Sequence, residues 1–145
     1  MAQEYAPDTF DWVAAQAKCR SASMFAQLQT SVAEDVRRRN DLRGEDDDWT
    51  LEMNGEESVF EVSRMVPSPF GGSKAVALVK FDREGRRIHV HGDGVDVDFT
   101  AVVALDASGA CRFVVGEAIY SEWEIRRMAL EELFFPDPHD EEDSI

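Results

Sequence analysis

The chain has 145 residues, 30 acidic and 15 basic, for a formal net charge of −15. That length suits one domain, able to bury about 68% of its unfolded surface without staples, and 43% hydrophobic residues exclude wholesale disorder. No apolar run reaches the roughly 18 residues of a membrane span, and Met1-Ala2-Gln3-Glu4 shows neither the basic nor the apolar region of a secretory signal.

The first third reads as helix. Asp8 is a candidate cap with Asp11 three residues on, and Phe10, Trp12 and Val13 are the apolar residues of a first stretch. Ser21 and Ser23 weaken the middle, so a break or bend is expected there. Phe25, Leu28, Val32 and Val36 then recur at steps of three and four, the core stripe of an amphipathic helix. Asn40 and Gly44 can end it. Arg37, Arg38, Arg39 and Arg43 lie near that end, where cations suit the helix dipole.

From Trp49 the period changes to two. Met53-Asn54-Gly55-Glu56 is read as a hairpin turn, because Asn-Gly tolerates the positive φ of a type I′ turn. It joins strands 49–53 and 57–65. The stretch 66–73, with Pro67, Pro69, Gly71 and Gly72, cannot continue a strand. Strands 74–81 and 86–91 flank a turn at Asp82–Gly85, and Asp93-Gly94 is read as a two-residue turn into strand 95–105. Asp106–Gly109 then turns the chain into strand 110–118. Ser121-Glu122-Trp123-Glu124 fits a capping box, with Tyr120 and Ile125 as a hydrophobic staple. Ile125, Met128, Ala129 and Leu133 form the stripe of a last helix that Pro136 and Pro138 stop.

The expected fold is therefore α+β: an N-terminal helical region, a six-stranded antiparallel meander curled around it, and a C-terminal helix. Residues 1–135 form the single domain. Residues 136–145, with Asp137, Asp140, Glu141, Glu142 and Asp143, are expected to be a disordered acidic tail. Setting aside those five acids and the four of Glu45–Asp48 takes the formal charge of the body from −15 to −6.

Turn positions set register, and register decides which residues meet. A two-residue turn at Asp93-Gly94 pairs His91 with Asp96, Val90 with Val97, His89 with Asp98 and Ile88 with Phe99. Phe99, Ala101, Val103 and Leu105 then share an apolar face with Cys111, Phe113 and Val115. A turn at Asp82–Gly85 is taken to place Ala77, Val79 and Phe81 on the other face, beside His89 and His91. The candidate binding patch is thus His89, His91, Asp96, Asp98, Phe81 and Val79. Two imidazoles and two carboxylates there could hold a divalent cation, with His89 and His91 as its ligands, or supply acid–base groups. Ordinary cross-strand pairing on a polar strand face is the favoured account of these four residues.

Other motifs are missing. Asp93–Asp98 lacks the Gly and the twelfth-position Glu of a calcium loop. Phe70-Gly71-Gly72-Ser73-Lys74 lacks phosphate-loop spacing, and no Gly-x-Ser-x-Gly is present. Cys19 and Cys111 are too few for a disulfide framework and read as inert packing thiols, which points to a reducing, cytoplasmic setting. No cofactor is implied. The acidic field disfavours nucleic acid and membranes as partners. The reading is a non-catalytic acidic interaction or ligand-binding module of the cytoplasm, whose partner is another protein or itself as a homodimer; a small-molecule ligand is compatible. The alternative is a small metal-dependent or acid–base enzyme using the His/Asp patch.

Overall fold

In the computed structural model, which describes residues 7–45 and 47–136, Asp11 rather than Asp8 caps the first helix. Its carboxylate accepts the Ala14 N–H at 3.0 Å, so α1 spans Trp12–Lys18. The expected break follows at Cys19 and Arg20, and α2 runs Ser21–Asp41. The Ser21 hydroxyl donates to the Gly85 carbonyl at 2.8 Å, tying the start of α2 to the sheet. Phe25, Leu28, Val32 and Val36 are all buried, as their spacing requires. At the other end the Asn40 side chain both donates to and accepts from the Leu51 backbone, at 3.0 and 2.9 Å.

Seven strands follow, not six: β1 Thr50–Gly55, β2 Val59–Pro67, β3 Ser73–Glu84, β4 Arg87–Asp93, β5 Asp98–Leu105, β6 Cys111–Val115 and β7 Ala118–Tyr120. They form one antiparallel sheet in sequence order, and α3, Glu122–Phe134, closes the α+β architecture. The extra strand comes from Gly116, whose φ of +61° turns the chain so that Val115 pairs with Ala118. The expected strand 110–118 is thus two strands. Asn54-Gly55 does not turn. Gly55 pairs with Phe60 inside the ladder, and the turn comes later, closed by Glu56 N–H to Val59 carbonyl at 2.7 Å. A Cβ at Gly55 would collide with Phe60, so this glycine serves close approach.

One core lies between the helices and a single sheet face. Leu51, Phe60, Val62, Ala77, Val79, Phe81, Ile88, Val90, Ala101, Val103 and Phe113 meet the α2 stripe and Ile125, Ala129, Leu130 and Leu133 of α3. The Phe60 and Phe81 rings stack with centroids 4.4 Å apart, and Phe25 reaches Phe60 at 5.2 Å. At the start of α3 the Glu124 carboxylate accepts the Ser121 N–H at 2.9 Å, and that bond holds Glu124 below the usual carboxylate range. The chain beyond Pro136, including the expected disordered tail, lies outside the described residues.

Two expected registers are corrected. Between β3 and β4 the turn is Gly85-Arg86, with Glu84 paired to Arg87 and φ of +63° at Gly85. Phe81 therefore opposes Val90, and directly opposed residues share a face. Phe81, Val79 and Ala77 belong to the core. Between β4 and β5 the register is offset by two residues: His91 opposes Asp98, His89 opposes Thr100 and Val90 opposes Phe99. The connection is Gly94–Val97, its base closed by Gly92 N–H to Val97 carbonyl at 2.7 Å. Val95 packs against the core from that loop, and the Glu132 carboxylate accepts the Asp96 N–H at 3.0 Å. Partial burial of Val95 favours the longer loop over a two-residue turn. An offset of two keeps every side chain on its face, so the separation of His89 from Phe99 stands.

The reading of Cys19 and Cys111 as thiols is also corrected. They form a disulfide with Cα atoms 5.4 Å apart, joining the α1–α2 break to β6 across 92 residues. Two cysteines suffice once the fold brings them together, and the thiol argument for a reducing compartment falls with the pairing.

The Asp106–Gly109 turn is built on one carboxylate. Asp106 Oδ1 accepts from Ser108 N–H, Ser108 Oγ and Ala110 N–H at 2.8, 2.6 and 3.0 Å, and Oδ2 accepts from Arg112 Nε at 3.0 Å. Burial pushes this carboxyl up, but the Ser108 hydroxyl, the Arg112 guanidinium and the two N–H groups outweigh it and hold it at about 2. A depressed carboxyl contributes stability that is complete above about pH 4 and fades as pH falls toward 2. Asp106→Ala should therefore lose about 1–2 kcal/mol at neutral pH. In urea melts across pH, the gap between wild type and variant should narrow in acid; a gap unchanged down to pH 2 would contradict this account.

Candidate functional site

The outer face of the sheet carries only part of the expected patch. His89 Nε2 lies 2.8 Å from Asp98 Oδ1, and the His89 and His91 rings stack at 4.7 Å. Both partners of that pair are open to solvent, 47% and 77% exposed, so the pair adds little to stability. Asp96 sits in the β4–β5 loop instead of opposite His91. Val79 and Phe81 are on the other side of the sheet, fully buried. A shallow hollow of about 270 Å³ beside His89 is lined by Asp82, Glu84, Arg87 and Thr100. Among the described residues no three His, Cys, Asp or Glu side chains are grouped to hold a metal ion.

A different site forms on the helices. The C-terminal half of α2 and the length of α3 enclose a groove of about 400 Å³. Its floor includes Leu130 and Phe134. Leu42, Trp123 and Phe135 also line it, and these large apolar side chains are 64%, 56% and 60% exposed. Its rim holds Arg38, Arg39, Arg126 and Arg127 against two acids, Asp35 and Glu131. The local charge is thus positive on a chain whose overall charge is −15.

Packing fixes the groove walls. Arg126 Nη1 meets both carboxylate oxygens of Asp35 at 2.7 Å, bridging α3 to α2. The Ser31 hydroxyl donates to Glu122 at 2.9 Å across the same junction. Arg39 Nε donates to the Phe134 carbonyl at 2.8 Å, and Arg64 donates to the Leu133 and Glu132 carbonyls, all at 3.0–3.1 Å. These arginines satisfy carbonyls that the last turn of α3 leaves without helical partners. The Arg39 guanidinium also lies over the Trp49 and Phe135 rings, at 4.9 and 4.6 Å. Arg127 pairs with Glu131 at 3.3 Å on the open side. Among the described residues Arg38 has no acidic partner within 4.0 Å, and it is exposed.

Comparison with protein-family models, with curated proteins and with solved structures finds no match. The site therefore rests on this chain's own geometry. Reading Arg37–Arg39 and Arg43 as one helix-end cluster misses how the fold divides them. Arg37 pairs with Glu34 and Asp41 on the exposed side, Arg43 donates to the Trp49 carbonyl at 2.8 Å, and Arg38 and Arg39 face the groove. The sequence does carry a signal: Leu42 and Trp123 fall outside both helix stripes, three and four positions from arginine pairs 38–39 and 126–127.

Proposed function

We propose that this protein is a non-catalytic interaction module whose binding site is the α2–α3 groove, and that its ligand is a short acidic segment with apolar side chains. The observation that carries this reading is the convergence of Leu42, Trp123 and Phe135, all more than half exposed, with four arginines on one groove. Exposed apolar clusters on a folded surface mark interfaces, and guanidinium groups recognise carboxylates bidentately. The net charge opposes a long polyanion such as nucleic acid. A short segment responds mainly to charges within a Debye length, about 10 Å at 0.1 M salt, where the arginines dominate.

The other expectations take narrower forms. A sheet curling about α2 is consistent with the four buried stripe residues of that helix. A homodimer through the outer face would rest on Val102, Val114 and the exposed Ile119, since Val79 and Phe81 are in the core. Acid–base chemistry would rest on the His89–Asp98 pair. A cytoplasmic site of action would have to accommodate the Cys19–Cys111 bridge.

The test uses 8-anilinonaphthalene-1-sulfonate, an aromatic anion matching floor and rim. It should bind one site, and combining Arg38→Glu with Trp123→Ser should weaken binding roughly tenfold, the loss of one rim charge and one anchor. Ile119→Ser, on the outer face, should leave binding unchanged. Equal affinity in wild type and the groove variant would remove the groove as the site.

A further inference from the structure

We infer that the groove's resident occupant is the chain's own segment 137–145, held as an intramolecular competitor that an external acidic ligand must displace; this rests on the groove being the binding site. The groove follows α3 from Trp123 to Phe135, about 18 Å at the helical rise. Segment 137–145 follows Pro136, one residue beyond the groove-lining Phe135. Nine residues can extend about 30 Å, so the segment can double back over the whole groove.

Its chemistry matches the site. It contains Asp137, Asp140, Glu141, Glu142 and Asp143, no Lys or Arg, and apolar Ile145. On the exposed rim Arg38 has no acidic partner among the described residues and Arg127 is shared with Glu131 at 3.3 Å, while Arg39 and Arg126 are held in place by Phe134 and Asp35. Tethering raises the local concentration of such a segment to the order of millimolar, enough to make weak charge pairing count. Dependence on salt follows, because exposed ion pairs are screened within about 3 Å at 1 M.

The experiment places a nitroxide on Ile145→Cys in the full chain; the native cysteines are paired, leaving only the new thiol to react. Relaxation broadening of the Trp123 indole N–H is compared with that of the Thr100 amide on the outer face. The Trp123 signal should be at least halved relative to the reduced label. Replacing the five acids by Asn and Gln, or adding 1 M salt, should restore most of it. Broadening that is absent, or equal with the acids neutralised, overturns the inference. Anilinonaphthalene sulfonate binding, read on the same neutralised variant, separates the two readings. Retained dye binding sensitive to Arg38→Glu means only the tail assignment has failed; no dye binding at the groove means the site itself has failed.

Discussion

Replacing Phe81 with alanine should destabilise the fold by about 3–5 kcal/mol, a large part of the stability of an ordinary domain. Phe81 has no exposed surface, stacks on Phe60 at 4.4 Å with planes 11° apart, and opposes Val90 across the ladder. Truncation would leave a cavity beneath the centre of the sheet, bounded by Phe60 and therefore next to Phe25. A close-packed interior relaxes only partly around such a loss. Urea unfolding followed by tryptophan fluorescence would give the difference directly. A cost below about 1 kcal/mol would instead fit an outer-face Phe81, the placement that a turn at Asp82–Gly85 implies.

That contrast shows how much of the fold is legible in the residues. Stripes of period 3.6 locate α2 and α3 because burial on one helix side repeats over about three turns in each, and no local alternative satisfies it. The first six strands are legible from their period of two, whereas β7 is not. Turn position is not, because several glycine-containing tetrapeptides compete and tertiary contacts choose among them. Asn54-Gly55 has the strongest hairpin chemistry of the chain, yet Phe60 needs the glycine for close approach. Gly116-Glu117 has weaker chemistry and turns. One displaced turn moved Val79 and Phe81 from the proposed site into the core, whereas a two-residue offset left the histidines on their face. The groove was illegible for another reason. Its residues come from two helices more than eighty positions apart, and no periodicity states that Arg38 and Trp123 meet.

Reducing the Cys19–Cys111 bridge should lower stability by about 2–4 kcal/mol. The argument rests on chain entropy: the bridge closes a loop across 92 residues, and such a closure restricts the unfolded ensemble strongly. It also rests on where the bridge sits. No residue of α1 is buried, so little apolar surface holds that helix to the body. Its ties include Phe10, which packs over Gly109, and the bridge that follows Lys18. Both land on the β5–β6 turn and its exit, the region Asp106 organises. Scanning calorimetry with and without reductant, with Cys19→Ala and Cys111→Ala together as the permanent reduced form, should show a melting temperature lower by roughly 10 °C. Amide exchange should rise first across 12–18, while the α2 stripe stays protected by its own burial. An unchanged melting temperature on reduction would mean that α1 docks through contacts other than the bridge. Loss of protection throughout α2 would make the bridge a support of the whole core.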